Sequence, residues 1–98
     1  MKNYEDYLNE NIEVLNFIKE NNIVEEIKNA DNEAKSLANM EGQQFLHSYR
    51  YSKVYDLLMD NNLGRDNVFK IVNLLENKYS KDIYELIDDS LSFDVEIS

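Results

Sequence analysis

Apolar residues recur every three or four positions along most of the chain, which is the period of an amphipathic α-helix. Five stretches show this period, at about residues 3–20, 23–41, 43–62, 67–78 and 81–91. Each stretch can bury only one face, so several must pack together to form a core. The pattern therefore predicts an all-α single domain over residues 1–98, built as a compact bundle of four or five short helices.

Asn, Asp, Ser and two glycines separate these stretches, and the chain contains no proline. Such residues are typical of helix caps and tight turns. Asn22, with Glu25 three residues later, predicts a capped start for the second helix. Gly42 and Gly64 are predicted to end the second and third helices, because glycine readily adopts the left-handed conformation that helix ends use.

The end of the chain shows a different pattern. Phe93, Val95 and Ile97 alternate with polar residues, which is the period of a β-strand. A single strand leaves its backbone hydrogen bonds unmade. We therefore expect residues 92–98 to form a short extended tail that packs against the bundle or pairs with a second copy in a homodimer.

Composition and charge narrow the classes of function. The 98 residues include no cysteine and one histidine, and the formal net charge is -10. A disulfide framework and a cysteine-based metal site are thereby excluded. Because the chain has no apolar run of membrane-spanning length and no signal-peptide pattern, we expect a cytoplasmic protein without membrane contact. The negative charge disfavours direct nucleic-acid binding, which depends on neutralising phosphates, and favours a basic protein as partner.

Two loop motifs come close to known binding motifs and then fail. The segment that starts at Asp60 resembles a calcium-binding loop, but Arg65 and Ile71 occupy the positions that require glycine and glutamate. The turn at Gly64 resembles that of a helix-turn-helix, yet the following helix offers little besides Lys70 for contact with DNA. Both segments are better interpreted as turns between helices.

Candidate catalytic groups are equally sparse. His47 is the single histidine and has no carboxylate near it in the local sequence. The carboxylate pairs Glu10/Glu13 and Glu85/Asp88 could hold Mg²⁺ only together with basic residues for a phosphate, and no basic cluster accompanies them. We therefore expect no enzymatic activity, no metal site and no cofactor.

Acidic side chains concentrate on the polar faces of the first and last helices, with about one charge per 5.4 Å turn. Phe17 falls among the acids of the first helix, where an aromatic residue with a polar rim could anchor a partner. The residues predicted to bind a partner are Asp6, Glu10, Glu13, Phe17, Glu20, Asp82, Glu85 and Asp89.

A separate group is predicted to bind a small ligand instead. His47, Tyr49 and Arg50 lie in the one locally basic stretch of the chain. An exposed tyrosine or arginine can stack on a base or bind a carboxylate. These three residues are the basis of an alternative prediction, that of a nucleotide-binding protein.

The favoured interpretation is a small acidic inhibitor that binds a basic, nucleic-acid-binding protein and blocks it by steric occlusion or by mimicking DNA. In size and charge the chain resembles phage counter-defence proteins such as anti-CRISPR proteins, and also immunity proteins against nuclease toxins. This resemblance is one of composition and involves no shared motif; a phage origin would place the protein in the host cytoplasm. A homo-oligomeric adaptor or regulatory protein is the other alternative.

Overall fold

Six α-helices follow one another in the computed structural model, which describes residues 3–97 and the side chains of residues 3–92. The helices are α1 (Tyr4–Glu10), α2 (Ile12–Glu20), α3 (Val24–Glu41), α4 (Leu46–Asp60), α5 (Val68–Leu75) and α6 (Ile83–Ile97). A short 3-10 helix, Gln43–Phe45, joins α3 to α4, and no strand occurs within residues 3–97. The predicted all-α class is therefore confirmed, whereas the predicted number of four or five helices is wrong.

The additional helix arises because the first predicted helix is divided at Asn11. The side-chain amide of Asn11 donates a 2.8 Å hydrogen bond to the carbonyl of Tyr7, and its backbone has φ -107° and ψ 11°. Asparagine side chains compete with the helical backbone for hydrogen bonds, which favours an interruption here. A capping box between Asn3 and Asp6 begins α1 on the other side.

The end of α2 is closed by Asn22, which adopts the left-handed conformation with φ 55°. The amide of Ile23 donates to the carbonyl of Ile18, and the amide of Asn22 donates to that of Lys19. This pair of bonds defines a Schellman motif. The prediction that Asn22 caps the start of the next helix is wrong, because its left-handed backbone ends the preceding one.

The end of α4 repeats the same arrangement. Asn62 has φ 57°, Leu63 donates to the carbonyl of Leu58, and Asn62 donates to that of Met59. The helix therefore ends at Asp60 and is closed by the left-handed Asn62 rather than by Gly64, although Gly64 also has a positive φ of 75°. In contrast, the predicted end of α3 at Gly42 is confirmed, with φ 137°.

The core is an apolar cluster to which all six described helices contribute. Helix α3 contributes through Ile27, whereas its buried alanines lie outside this cluster. The fully buried members of the cluster include Leu15, Ile18, Ile27, Leu58, Ile71 and Leu86. Helix α3 packs closely against α4 and carries a stripe of buried alanines, Ala30, Ala34 and Ala38. Small side chains allow two helix axes to approach closely. The Cα radius of gyration is 13.7 Å, and a compact chain of this length is expected to have one of about 13 Å.

The predicted extended tail is wrong for the part of it that the structure describes. Helix α6 continues to Ile97, while Ser98 lies outside the described residues. A helix satisfies its backbone hydrogen bonds within itself, which a lone strand cannot do. The spacing of four between Ile83, Ile87 and Leu91 already shows helical periodicity leading into this segment. Across residues 3–97, the helices are too short or too polar to cross a lipid bilayer.

Candidate interaction surfaces

The acids predicted on the last helix have partners within the fold. Asp82 accepts a 2.7 Å hydrogen bond from Lys28 of α3 and also caps α6 by accepting one from the amide of Tyr84. The bond from Lys28 lowers the pKa of Asp82, and the same bond raises the pKa of Lys28. Glu85 lies 3.9 Å from Lys81, one turn away. Asp82 therefore joins the start of α6 to α3, whereas the pair between Lys81 and Glu85 is local to the start of α6.

Asp89 also makes a contact between helices. It accepts a 2.5 Å hydrogen bond from the hydroxyl of Tyr4 in α1. Burial raises the pKa of Tyr4 strongly, and the bond to Asp89 adds to this effect. Because α1 packs against α6 through this pair, the two acidic surfaces predicted from the sequence belong to neighbouring helices.

The acids predicted on the first helix differ among themselves. Asp6 is engaged in the capping box, and Glu10 is exposed. Glu13 and Glu20 are exposed and have no hydrogen-bond or ion-pair partner among the described side chains. Phe17 is partly buried and packs against the core cluster. The structure thus gives Phe17 a packing role and leaves Glu13 and Glu20 available to a partner.

Two of the predicted ligand-binding residues meet at Glu76, at the end of α5. His47 Nδ1 lies 2.8 Å from Glu76 Oε1, and Arg50 Nη1 lies 3.1 Å from Glu76 Oε2. The structure therefore supplies His47 with a carboxylate that its local sequence lacks. No local signal could have identified Glu76, because it is 29 residues from His47 and 26 from Arg50.

Arg50 also forms an ion pair with the buried Asp31 of α3. Its Nε lies 2.6 Å from Oδ1 of Asp31, whose side chain is only 12% exposed and is also approached by Lys35 at 3.2 Å. Burial by itself lowers the pKa of Arg50, but the bonds to Asp31 and Glu76 outweigh it and the pKa is raised. With both carboxylates bound, the guanidinium serves as a link between α3, α4 and α5.

Tyr49 lies apart from His47 and Arg50. Its hydroxyl donates a 2.5 Å hydrogen bond to Glu41 at the end of α3, and this bond raises the pKa of Tyr49. Its ring lies 6.1 Å from that of Phe45. The three residues of the predicted ligand site are therefore divided between two contacts, one at Glu76 and one at Glu41.

An acidic groove that sequence reasoning missed lies between α3 and α4. Its volume is about 290 Å³, and four carboxylates line it against one lysine. The charged residues are Glu26 and Glu33 of α3, and Lys53, Asp56 and Asp60 of α4. Lys53 pairs with Glu33 at 3.5 Å, whereas the other three carboxylates have no partner in the described part of the chain. We refer to this feature as the acidic groove.

Charge is divided between the two sides of α3. Glu26 and Glu33 face the acidic groove, while Lys28 and Lys35 line a second cavity on the side of the α5–α6 loop. The helical period explains the division, because positions two apart are separated by about 200° around the axis. Only the packing of α4 on one side and the loop on the other turns this division into two distinct surfaces.

Comparisons with protein-family models, with curated proteins and with solved structures gave no match to this chain. The surfaces must therefore be interpreted from their own residues. Within residues whose side chains are described, no three His, Asp or Glu side chains are placed so that they could hold a metal ion.

Proposed function

We propose that this chain is a small inhibitor that binds a basic, nucleic-acid-binding protein through acidic helix surfaces. The observation that carries the proposal is the acidic groove, where Glu26, Asp56 and Asp60 make no hydrogen bond or ion pair with any described side chain. Unpaired carboxylates on one surface repel one another and favour a basic ligand. Glu13 and Glu20 of α2 are also exposed, and they add negative charge outside the groove.

The spacing of the groove carboxylates suits a protein surface that normally binds phosphates. Glu26 and Glu33 are seven residues apart, which places them about 10 Å apart along α3. Asp56 and Asp60 are four residues apart, or about 6 Å along α4. Phosphates along one DNA strand repeat about every 3.4 Å of helix axis, so spacings of about 6 and 10 Å correspond to roughly two and three phosphate repeats.

Rigidity adds to the electrostatic argument. The groove is formed by two helices joined by the short segment 42–45, an arrangement known as an αα-hairpin. Arg50 and Asp31 tie the two helices together through a hydrogen bond of 2.6 Å. Because the two helices that carry the carboxylates are already fixed to each other, binding of a partner requires ordering of the side chains but not of the backbone. Steric occlusion of a nucleic-acid site by such a surface is how counter-defence or immunity proteins of this size would act.

The test is affinity capture from a lysate of the source cell or its host, at low and high salt, with identification by mass spectrometry. The wild type is compared with the triple variant Glu26→Gln, Asp56→Asn, Asp60→Asn. We expect the wild type to capture one basic nucleic-acid-binding protein that high salt releases, since salt screens exposed charges. An oligonucleotide duplex should compete for the captured protein, and the groove variant should not capture it.

The matched control removes the same number of charges elsewhere, through Glu5→Gln, Asp66→Asn and Asp88→Asn. All three residues are exposed and lie outside the acidic groove. We expect this control to retain capture. Equal capture by the groove variant would reject the groove as the interface, and self-association as the sole result would favour the homo-oligomeric adaptor.

A further inference from the structure

A second cavity lies on the opposite side of α3 from the acidic groove, where α3 meets the loop between α5 and α6. Its volume is about 410 Å³, which is within the range of small-molecule sites. Three of the chain's ten basic residues line it, Lys28, Lys35 and Lys81, together with the carboxylates Asp31 and Asp82. The cavity is thus locally positive in a chain whose formal net charge is -10.

The two carboxylates do not neutralise all three lysines. Asp82 is compensated by Lys28 at 2.7 Å. Asp31 is already bound by Arg50 at 2.6 Å, so Lys35, at 3.2 Å from Asp31, is a second cation on a single carboxylate. Lys35 is therefore the more exposed of the two cations that share Asp31, at 54% against 12% for Arg50.

Lys81 is a second exposed cation of the cavity, and it lies on the α5–α6 loop opposite α3. Its closest carboxylate is Glu85 at 3.9 Å, the longest of the described ion pairs. Its side chain is 40% exposed and that of Lys35 is 54% exposed, so both ammonium groups can turn towards a ligand. Asn32 and Ser80 also line the cavity, and their side chains have no partner in the described structure.

Distant acids do not cancel this local charge. At physiological ionic strength the screening length is about 8 Å, so exposed carboxylates on other faces have a weak effect within the cavity. Lysine ammonium groups commonly bind phosphate oxygens, and an amide or hydroxyl can add neutral hydrogen bonds.

We propose that the cavity between α3 and the α5–α6 loop binds a small anion of the phosphate class with at least two negative charges, held between Lys35 and Lys81. This site is independent of the acidic groove and of the proposed inhibitor function. The probe is inorganic pyrophosphate, titrated into the full chain at constant ionic strength while backbone amide resonances and the melting temperature are followed. Sodium chloride replaces pyrophosphate in the reference titration.

We expect saturable shifts at residues 80–83 and a rise in melting temperature with pyrophosphate alone. The double variant Lys35→Gln, Lys81→Gln should bind about tenfold more weakly or worse. The matched control Lys19→Gln, Lys70→Gln removes two exposed lysines outside the cavity and should bind like the wild type. Inorganic phosphate, which is shorter and carries less charge than pyrophosphate, should bind more weakly, because it offers fewer oxygens to two lysines at once.

Three results would overturn the proposal. One is the absence of saturable shifts in the wild type. Another is equal weakening in the control variant, which would indicate a general charge effect. The last is equal affinity for phosphate and pyrophosphate, which would contradict a ligand held between two lysines.

Discussion

The guanidinium of Arg50 donates through Nε to Oδ1 of Asp31 at 2.6 Å, with both side chains only 12% exposed. This bond joins α4 to α3, and Glu76 completes the pairing of Arg50 from α5 at 3.1 Å. A buried carboxylate that loses its cation is costly, because the remaining charge is desolvated without compensation. The pair therefore holds the hairpin on which both candidate surfaces depend.

Replacing Arg50 by methionine, which preserves apolar bulk, should strongly destabilise the protein. We expect the free energy of unfolding to fall by about 3 kcal/mol, because Asp31 and Glu76 lose their shared cation. Urea denaturation measures the change. The control is Lys53→Met in the same helix, whose partner Glu33 is 64% exposed and which should cost under about 1 kcal/mol. Similar losses in the two variants would contradict the role assigned to Arg50.

Tyr79→Phe should leave stability unchanged or raise it by about 1 kcal/mol. The Tyr79 hydroxyl is buried without a hydrogen-bond partner among the described residues, while its ring packs against Tyr4 and Tyr7 at 5.0 and 5.2 Å. Removing an unpaired hydroxyl removes its desolvation cost and retains the ring contacts. Tyr4→Phe is the comparison, since it deletes a hydrogen bond to Asp89 and should destabilise. A clear loss from Tyr79→Phe in thermal denaturation would show that this hydroxyl has a partner.

Asn22→Ala and Asn62→Ala should each destabilise the protein by about 1 kcal/mol, because a Cβ-bearing residue without a local hydrogen-bonding group is disfavoured at positive φ. Asn22→Gly and Asn62→Gly should preserve stability, since glycine adopts this conformation freely. Asn73→Ala, at an exposed position inside α5, serves as the control and should have no destabilising effect. Chemical denaturation of the five variants checks the prediction, and a loss in the glycine variants equal to that in the alanine variants would contradict it.

Loss of the Lys28–Asp82 ion pair in acid should lower the free energy of unfolding. The pKa of Asp82 is lowered in the folded protein, so its contribution is present above its unfolded pKa of about 3.9 and is lost as the pH falls through the lower folded value. Asp82→Asn keeps a side chain able to cap α6 but removes the charge. Its unfolding free energy should therefore fall less steeply than that of the wild type below about pH 4.

Urea titrations across this acid range provide the measurement. Asp88→Asn removes an exposed carboxylate from the same helix and controls for the loss of one negative charge. If Asp82→Asn and the wild type lose stability in parallel, the pair with Lys28 does not contribute to acid sensitivity.

Most helices could be predicted because helical periodicity is local. The stripe Ile23, Ile27, Ala30 and Ala34 identifies α3 from its own sequence, and all four residues are buried. Local signals were ambiguous where one residue type serves two purposes. Asparagine can start a helix or end one, and the choice at Asn22 depends on whether its φ is negative or positive.

The candidate surfaces were less predictable than the helices. Net charge and the absence of cysteine follow from composition, and so do the classes of chemistry that they exclude. The exposure of Glu13 and Glu20 follows from helical phase. In contrast, the sequence could not indicate that Asp82 and Asp89 are occupied by Lys28 and Tyr4, because these partners are 54 and 85 residues away.

The sequence by itself determined an acidic, all-helical chain with one apolar face per helix, because each of these properties depends on residues within a few turns. Only the tertiary structure decided which charges are paired and which remain available. The packing of α4 and the α5–α6 loop on opposite sides of α3 brings together residues distant in sequence. Since electrostatic interactions depend on separation in space, that packing alone separates the acidic groove from the lysine-lined cavity.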